Sequence, residues 1–385
     1  MIDQLPFVHR MNTTALAKSL RSPPQKKSSL LGSAARKEAT THEMLSAKKK
    51  EKEEKFVSSL RLDWTNLPPL SPLAKQIAKS QTKCFDSRSG DKPQEIYQHI
   101  MEEAGMGSSI HTWSQSLCHA VEHDKVLITT GHWEWRDRTR CPPLQLHDSP
   151  LSCYFGQHVS AAQACPTNTT KFVEPTVVMG PCDNLIKEHG RSGVRAAVME
   201  WLFQNVTDIV VKEAEKQIHQ MFNDTIMPSP NNLITVHIRW GDKSLEIPLL
   251  PVSVYIDAVK SLLRQEEIDG SKPVHIYLAT EDPNAKQQFS SRAEKLHWTV
   301  YSSGPTNVVN GEVHMYKVAM STKGATGLDS LAALLVSLQA NRYVLGTGSN
   351  WSRLINELRK AVLNPRCDNC TTWVNVNGDE AYGEW

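Results

Sequence analysis

The chain has 385 residues, of which 39% are apolar, so it is long enough for two domains that each bury a hydrophobic core. Its formal net charge is only +2, which excludes the overall basic field that is typical of nucleic-acid-binding proteins. The charge is unevenly distributed, because residues 1–55 contain 12 Lys/Arg against 6 Asp/Glu. The start of the chain is therefore a different kind of segment from the rest.

Residues 1–80 form this first segment. Between 15 and 60 it is rich in Lys, Ser, Ala and Glu and nearly lacks aromatic residues, which predicts a disordered extension or a solvated helix. The basic run KKKEKEEK can bind an anionic membrane or a nucleic acid, but its interleaved glutamates favour a solvated stalk or linker. Pro68, Pro69 and Pro72 indicate a boundary at the end of the segment.

Residues 81–230 are predicted to form an N-terminal α/β domain. Within it, 96–105 has the pattern of a helix, and GMGSSIH opens a second helix with a glycine turn before a strand at 125–130. Glycine turns at helix starts can present N–H groups to a phosphate or a sugar, although GMGSS alone is a weak signal. An apolar stripe at helical spacing predicts one long helix over 192–222.

Residues 231–365 alternate short strands with helices. The strands are predicted at 233–240, 274–280, 298–303 and 342–347, and the helices at 251–263, 284–296, 327–340 and 349–362. This alternation predicts right-handed βαβ units and a parallel sheet covered on both faces. Ligands of such sheets bind outside the carboxyl ends of the strands. Residues 366–385 are expected to be a C-terminal tail.

The stretch HIRWGDKSLE, which starts at His237, places many charges where the first of these strands ends. Side chains alternate along an extended chain, so His237 and Arg239 point the same way. An arginine there offers a planar set of donors for phosphate oxygens, and Lys243 adds a point charge. Two alternatives remain open. Arg239 can pair with Asp242 or Glu246 in a surface network, and the histidine can be an interior residue with a protein partner.

Two later strand ends carry polar residues as well. In VLGTGSNWSRL a glycine turn leads into a helix through Ser349, a residue type favoured at N-caps, and N–H groups at such a start bind anions. No lysine follows the glycine, so the turn is not a P-loop. In YLATEDP, Glu281 and Asp282 can accept hydrogen bonds from a base or a ribose, or can simply be favourable charges at the next helix start.

In this order and at these spacings, HIRWGDK, YLATEDP and GTGSNWSRL resemble the three donor-site motifs of a fucosyltransferase superfamily. It comprises the α1,6-fucosyltransferases of N-glycan cores, the bacterial chitin-oligosaccharide fucosyltransferases and the protein O-fucosyltransferases, and the match over 231–362 is best to the α1,6 type. The resemblance implies an α/β, two-lobed GT-B-like fold with a Rossmann-like C-terminal nucleotide-binding domain. It also implies GDP-fucose as donor, a glycan acceptor, inversion at the anomeric carbon, and no metal ion or other cofactor.

The resemblance further implies roles for individual residues. Arg239 holds the β-phosphate, Lys243 assists, and Glu246 is the base that takes the proton of the acceptor hydroxyl. The donor-binding residues that it implies are His237, Arg239, Asp242, Tyr255, Glu281, Asp282, Asp329, Ser349, Asn350 and Arg353. Such a set is chemically consistent, because fixed cations and amides stabilise the negative charge that develops on the departing diphosphate.

Two positions depart from the family's pattern. Trp240 stands where the family has a second arginine, and Ala333 stands where it has an acidic residue. Asp329 lies four residues before Ala333, so it can substitute for the missing acid or can serve only the start of its helix. These departures leave two alternatives open: a catalytically silent module that binds a GDP-sugar or a glycan, and a transferase for another nucleotide sugar.

The eight cysteines favour an oxidising compartment. Their even number and their clustering between 84 and 182 suit a disulfide framework, and Cys367-x-x-Cys370 lacks the partners of a zinc site, which favours a local disulfide. With several Asn-x-Ser/Thr triplets, this pattern predicts the Golgi or another secretory-pathway lumen. No apolar run reaches the ~18 residues of a membrane span, and no signal peptide is recognisable. Either an anchor precedes Met1, or the protein is soluble.

Overall fold

Two parallel sheets organise the part of the chain that the structure describes. The computed structural model describes residues 60–82, 94–101, 103–145, 148–160, 170–172, 176, 180–222, 227–241, 248–266, 273–303 and 315–378. The chain divides into two units, Met1–Val57 and Ser58–Trp385, and every described residue belongs to the second. Asp242, Lys243 and Glu246 lie outside the described residues, as does most of the segment predicted to be an extension.

The secondary structure of the described residues alternates between helices and strands through most of the chain. In chain order the helices are α1 Pro72–Gln81, α2 Met106–Glu122, α3 Ser152–Phe155, α4 Asp183–His189, α5 Arg191–Leu202, α6 Asp208–Phe222, α7 Val252–Gln265, α8 Pro283–Glu294, α9 Met315–Ser321, α10 Ala325–Ser337 and α11 Asn350–Leu358. The strands are β1 Gln94–Ile100, β2 Val126–Thr130, β3 Thr170–Phe172, β4 Leu233–His237, β5 His275–Ala279, β6 Thr299–Tyr301, β7 Arg342–Leu345 and β8 Thr372–Asn375.

The N-terminal lobe is built on the three-stranded sheet β2-β1-β3, whose neighbouring strands are parallel. The helix predicted over 96–105 is wrong, because residues 96–100 belong to β1. A run of seven residues is too short for periodicity to separate a strand from a helix, and pairing in register with β2, Ile96 opposite Val126, decides the outcome. The predicted glycine turn, helix and strand that follow are confirmed as α2 and β2.

The C-terminal lobe is built on the five-stranded parallel sheet β6-β5-β4-β7-β8. Counted from β4, this is the strand order 3-2-1-4-5 of the doubly wound nucleotide-binding fold, which places the switch point between β4 and β7. The predicted α/β class, with two lobes and a Rossmann-like C-terminal domain, is therefore confirmed. Residues 366–385 were expected to be a tail, but β8 pairs with β7 along its whole length, so the C-terminal domain extends past 365.

Residues 60–81 pack into the core and do not continue the predicted extension. Leu60, Trp64 and Ile77 are all buried. Ser71 caps α1 by accepting a hydrogen bond from Ala74 N–H at 3.2 Å, and a proline occupies the first turn. The prolines that suggested the end of an extension therefore introduce a helix, and the expected boundary at residue 80 lies too late.

The single long helix predicted over 192–222 is two helices, α5 and α6. A 3₁₀ turn at Phe203–Asn205 separates them, and Thr207 Oγ1 donates a hydrogen bond of 2.5 Å to the Cys153 carbonyl just before α6 begins. The apolar stripe hid the break, because Leu202 and Val206, on either side of the turn, both belong to the stripe and are both buried.

All six described cysteines are paired. Cys118–Cys182 joins α2 to the residue before α4, Cys141–Cys153 joins a loop to α3, and Cys367–Cys370 confirms the predicted local disulfide. Bridges of this kind typically stabilise a fold by about 2–4 kcal/mol. Within the described ranges, none of the helices combines the length and the apolar character needed to cross a bilayer.

Candidate functional site

A cavity of about 240 Å³ opens at the switch point of the C-terminal sheet. Its walls come from the ends of β4 and β5, from the start of α11, and from the start of α2 in the N-terminal lobe. The polar residues around it include His237, Arg239, Glu281, Ser349, Asn350 and Ser108. The structure thus brings together residues from all three sequence motifs, at the edge of the sheet where ligands of doubly wound folds bind.

His237 is a neutral hydrogen-bonding residue in the cavity wall. It is only 2% exposed, and burial, reinforced by the charge of Arg239, lowers its pKa to about 3. Its Nδ1 lies 2.6 Å from Ser352 Oγ, which accepts a hydrogen bond from Gly346 N–H at 3.2 Å. The Ser352 hydroxyl hydrogen can therefore point to Nδ1, which leaves the ring proton on Nε2 as a donor for a ligand.

Arg239 brings a positive charge to the cavity and has protein partners there. Its Nη1 atom donates hydrogen bonds to the Trp240 carbonyl, at 2.6 Å, and to the Glu281 carboxylate. The arginine side chain is 21% exposed and that of Glu281 is 17% exposed, so both groups are partly desolvated. A partly buried guanidinium that lines a cavity is chemically suited to binding an anion.

The start of α11 faces the same cavity without a side-chain cap. Ser349 occupies the N-cap position in an extended conformation, but its hydroxyl makes no capping bond. It is only 7% exposed, and within the described part of the chain its Oγ has no hydrogen-bond partner. Groups of this kind, a hydroxyl beside the first-turn N–H groups of a helix, are chemically able to bind an anion.

Strand β8 holds the turn that leads into α11. The Asn375 side chain accepts a hydrogen bond from Thr347 N–H at 3.2 Å, and that of Asn377 accepts one from Gly348 N–H at 3.0 Å. Arg353 Nε donates to the Thr347 carbonyl at 2.6 Å from the other side. Arg353, predicted to bind the donor, is buried and does not line the cavity; its contacts brace the turn.

The start of α2 closes the cavity from the N-terminal lobe. Gly107 packs against the α11 backbone so closely that an added Cβ would lie 3.1 Å from Asn350 C and from Trp351 N. Ser108 Oγ accepts a hydrogen bond of 2.7 Å from Asn350 Nδ2. The N-cap of α2, Gly105, makes no side-chain capping bond either. Two uncapped helix starts, one from each lobe, therefore meet at one cavity.

Two residues predicted to bind the donor have other partners. Asp282 caps α8, since its Oδ1 accepts a hydrogen bond from Ala285 N–H at 2.8 Å. Asp329 does not line the cavity; its Oδ1 lies 3.4 Å from Arg140 Nη2, and that arginine also bonds Asp137. The structure thus keeps the Asp329 carboxylate out of the site, whereas Ala333, one turn along α10, lines it.

Tyr255 lies behind the cavity wall. It is 4% exposed, and burial, with a smaller effect from the nearby Glu281 charge, raises its pKa to about 12. Its hydroxyl lies 3.5 Å from where a Cβ on Gly346 would sit, so it supports the turn between β7 and α11. Trp240 has a similar role, because its ring packs on the C-terminal core and its Nε1 donates to the Leu250 carbonyl at 2.9 Å.

No protein-family model matches this chain, and no curated protein sequence matches it. Among solved structures, it is similar to a mutant of FUT1 from Arabidopsis thaliana in complex with GDP, with 11% identity and a TM-score of 0.41, over 76% of this chain and 79% of that one. It is also similar to POFUT1 in complex with GDP, with 9% identity and a TM-score of 0.36, over 70% of this chain and 95% of that one.

Sequence reasoning missed several residues that shape the site. Ser108 was visible only as part of the weak GMGSS signal, and nothing in the spacing linked it to Asn350, 242 residues later. Ser352 looked like an ordinary helix residue, and Asn375 and Asn377 fell in a segment expected to be a tail. A second α2 residue, His111, bonds Asn350 at 3.1 Å and was also missed.

Proposed function

We propose that this protein transfers fucose from GDP-fucose to a hydroxyl group of a glycan, in an inverting, metal-independent reaction of the α1,6 type. The supporting observation is the cavity in which Arg239, His237 and Ser349 meet two uncapped helix starts. These groups are the chemistry that a diphosphate requires, and they come from the motifs that resemble those of GDP-fucose-dependent transferases.

The proposed roles follow from the charge that the reaction creates. When the bond between fucose and phosphate breaks, negative charge develops on the β-phosphate, and Arg239 with the first-turn amides of α11 stabilises it. The His237 Nε2–H adds a neutral donor. Lys243 assists and Glu246 takes the proton of the acceptor hydroxyl, so that the hydroxyl oxygen attacks the anomeric carbon from the face opposite GDP. Among the described residues, no group of three or more His, Cys, Asp or Glu is placed to hold a metal ion.

The same proposal assigns a role in the reaction to each part of the chain. Residues 231–365, extended by β8, bind the nucleotide, and residues 81–230 lie on the acceptor side. Glu281 binds the guanosine side of the donor, where its carboxylate can accept hydrogen bonds from a base or a ribose. Three disulfides suit an oxidising compartment, so we propose the Golgi or another secretory-pathway lumen as the location.

A second candidate function is a module that binds a GDP-sugar without transferring it. Trp240, at the position of the second arginine of the related motif, is anchored to the Leu250 carbonyl and does not line the cavity. Ala333 lines the cavity but offers no carboxylate. Within the described residues, Asp329 does not replace the missing acid, because it pairs with Arg140.

The purified protein, incubated with GDP-fucose, separates these candidates. We expect GDP to be released faster when N-glycan or chitin-oligosaccharide acceptors are present, and fucose to appear on the acceptor by mass spectrometry. GDP-mannose and UDP-sugars serve as matched donor controls. Binding of GDP without acceptor-dependent release would favour the silent module, and a protein that binds no GDP at all would contradict both candidates.

A further inference from the structure

A buried chain of hydrogen bonds connects the two lobes beneath the cavity. His111 in α2 places Nδ1 at 3.1 Å from Asn350 Oδ1 and Nε2 at 3.0 Å from Glu357 Oε2, both in α11. Asn350 continues the chain to the Ser108 hydroxyl at the cavity wall. The side chains of His111 and Glu357 are only 2% and 1% exposed. Two buried polar side chains are costly unless their bonds are satisfied, so this arrangement constrains the positions of its partners.

The proton positions in this chain follow from its partners. Arg353 Nη1 donates to Asn350 Oδ1 at 3.2 Å, which identifies that atom as the amide oxygen. His111 Nδ1 must therefore donate to it, and one further proton is shared between His111 Nε2 and Glu357 Oε2. Asn350 Nδ2 then donates to Ser108 Oγ, whose own hydrogen has no acceptor within the described residues and is available to a ligand in the cavity.

We propose that His111 and Glu357 are positioning residues that hold Asn350 and Ser108 in place, and that Ser108 Oγ is a ligand-binding donor to the diphosphate. This inference rests on the proposed function, because it names a further residue of the same anion site. His111 and Glu357 join the two lobes, because their bonds keep the start of α2 against the start of α11. Ser108, a hydrogen-bond donor from the N-terminal lobe, is thereby added to the donors of the C-terminal lobe.

The test is a double-mutant cycle on ligand affinity, measured by calorimetry with GDP and, separately, with inorganic pyrophosphate. Ser108→Ala removes the donor, and we expect its dissociation constant to rise about tenfold, the usual effect of losing a hydrogen bond to a charged group. His111→Phe removes the positioning contacts at similar volume and is expected to have an effect of about the same size. If His111 acts through Ser108, the double variant should bind each ligand only slightly more weakly than either single variant does.

Two further variants separate positioning from a general loss of stability. His99 is a matched control, because it is also buried and its Nδ1 lies 2.9 Å from a serine of α2, Ser116 Oγ, away from the cavity lining. His99→Phe should lower the unfolding midpoint without changing either dissociation constant. Glu357→Gln can still bond His111, whereas Glu357→Leu cannot, so the glutamine variant should keep more affinity than the leucine variant.

Each outcome decides the matter. Independent losses that multiply to about a hundredfold in the double variant would overturn the positioning role, as would equal affinities of the two Glu357 variants. A protein that binds pyrophosphate but not GDP would contradict the proposed function alone, since the cycle can then be completed with pyrophosphate. A wild-type protein that binds neither ligand would overturn both proposals.

Discussion

Helices α8 and α11 follow β5 and β7, the two strands that flank β4, and each is preceded by a polar residue, yet their first turns differ. Asp282 caps α8 with its carboxylate, and the bond to Ala285 N–H satisfies one of its exposed amides. Ser349 stands at the same position of α11 and caps nothing. The negative side chain at α8 opposes a second anion there, whereas the uncapped first turn of α11 can accept one.

The same sequence feature, a polar residue before a helix, caps α8 at Asp282 and leaves the first turn of α11 uncapped at Ser349, where we propose that a ligand binds. The side chains of Asn375 and Asn377 bond the turn before α11. The start of α11 itself lines the cavity. In α8, by contrast, the Asp282 carboxylate already accepts a hydrogen bond from a first-turn N–H group. The predictions below test whether ligand binding belongs to α11 and structural support to α8.

The largest effect is expected from Arg239→Ala. Among the described residues, Arg239 is the Lys or Arg side chain that lines the cavity beside α11. We therefore expect its loss to reduce turnover at least a hundredfold and to weaken GDP binding about tenfold or more. The unfolding free energy should change by only about 1 kcal/mol, because the arginine is partly exposed. Initial-rate assays and denaturant titration measure the two quantities.

Arg239→Lys is the matched variant, since it keeps the charge but removes the planar fork. We expect it to recover part of the binding and little of the turnover. A variant lacking the guanidinium that turns over GDP-fucose at the normal rate would remove Arg239, and with it the anion site, from the proposed reaction.

Gly107→Ala is expected to have the next largest effect, because it separates the two helix starts. The added Cβ would lie 3.1 Å from backbone atoms of α11, so one helix must shift by a few tenths of an ångström. We expect GDP affinity to fall several-fold, on the order of 1 kcal/mol. Gly193→Ala in α5 is the control: its Cβ would meet nothing closer than 3.7 Å, and the change should stabilise the helix without affecting binding.

Ser349→Ala and Asp282→Ala test the comparison directly. Removing the Ser349 hydroxyl should weaken GDP binding about threefold to tenfold and leave the unfolding free energy nearly unchanged, because the hydroxyl has no partner in the described fold. Removing the Asp282 cap should cost about 1 kcal/mol of stability. If Asp282→Ala instead weakened binding more than Ser349→Ala, the proposed division between the two helices would be wrong.

The difference between these helices also explains how far the sequence could predict the site. Four of the five strands of the C-terminal sheet, all except β8, and each of its predicted helices were recognisable from local periodicity, and the sheet-edge rule brought His237, Arg239 and Ser349 to one place. Whether a side chain caps its own helix or faces a ligand depends on tertiary contacts, so Asp282 and Asp329 looked as suitable as Ser349. The contribution of α2 was invisible, because its contacts with α11 join residues far apart in the chain.

A smaller effect concerns pH, and it distinguishes a neutral from a charged donor beside α11. Burial lowers the pKa of His237 to about 3 from its usual 6.5, so the folded protein favours the neutral ring. This histidine contributes stability that is complete above pH 6.5 and is lost, at about 1 kcal/mol per pH unit, as the pH falls towards 3. GDP titrates too, so the informative quantity is the ratio of wild-type to His237→Gln affinity. That ratio should stay constant between pH 8 and 5.5, since neither side chain changes its charge there. A ratio that grows as the pH falls would show that a protonated His237 binds the diphosphate, and the Nε2–H of a neutral ring would then be the wrong donor.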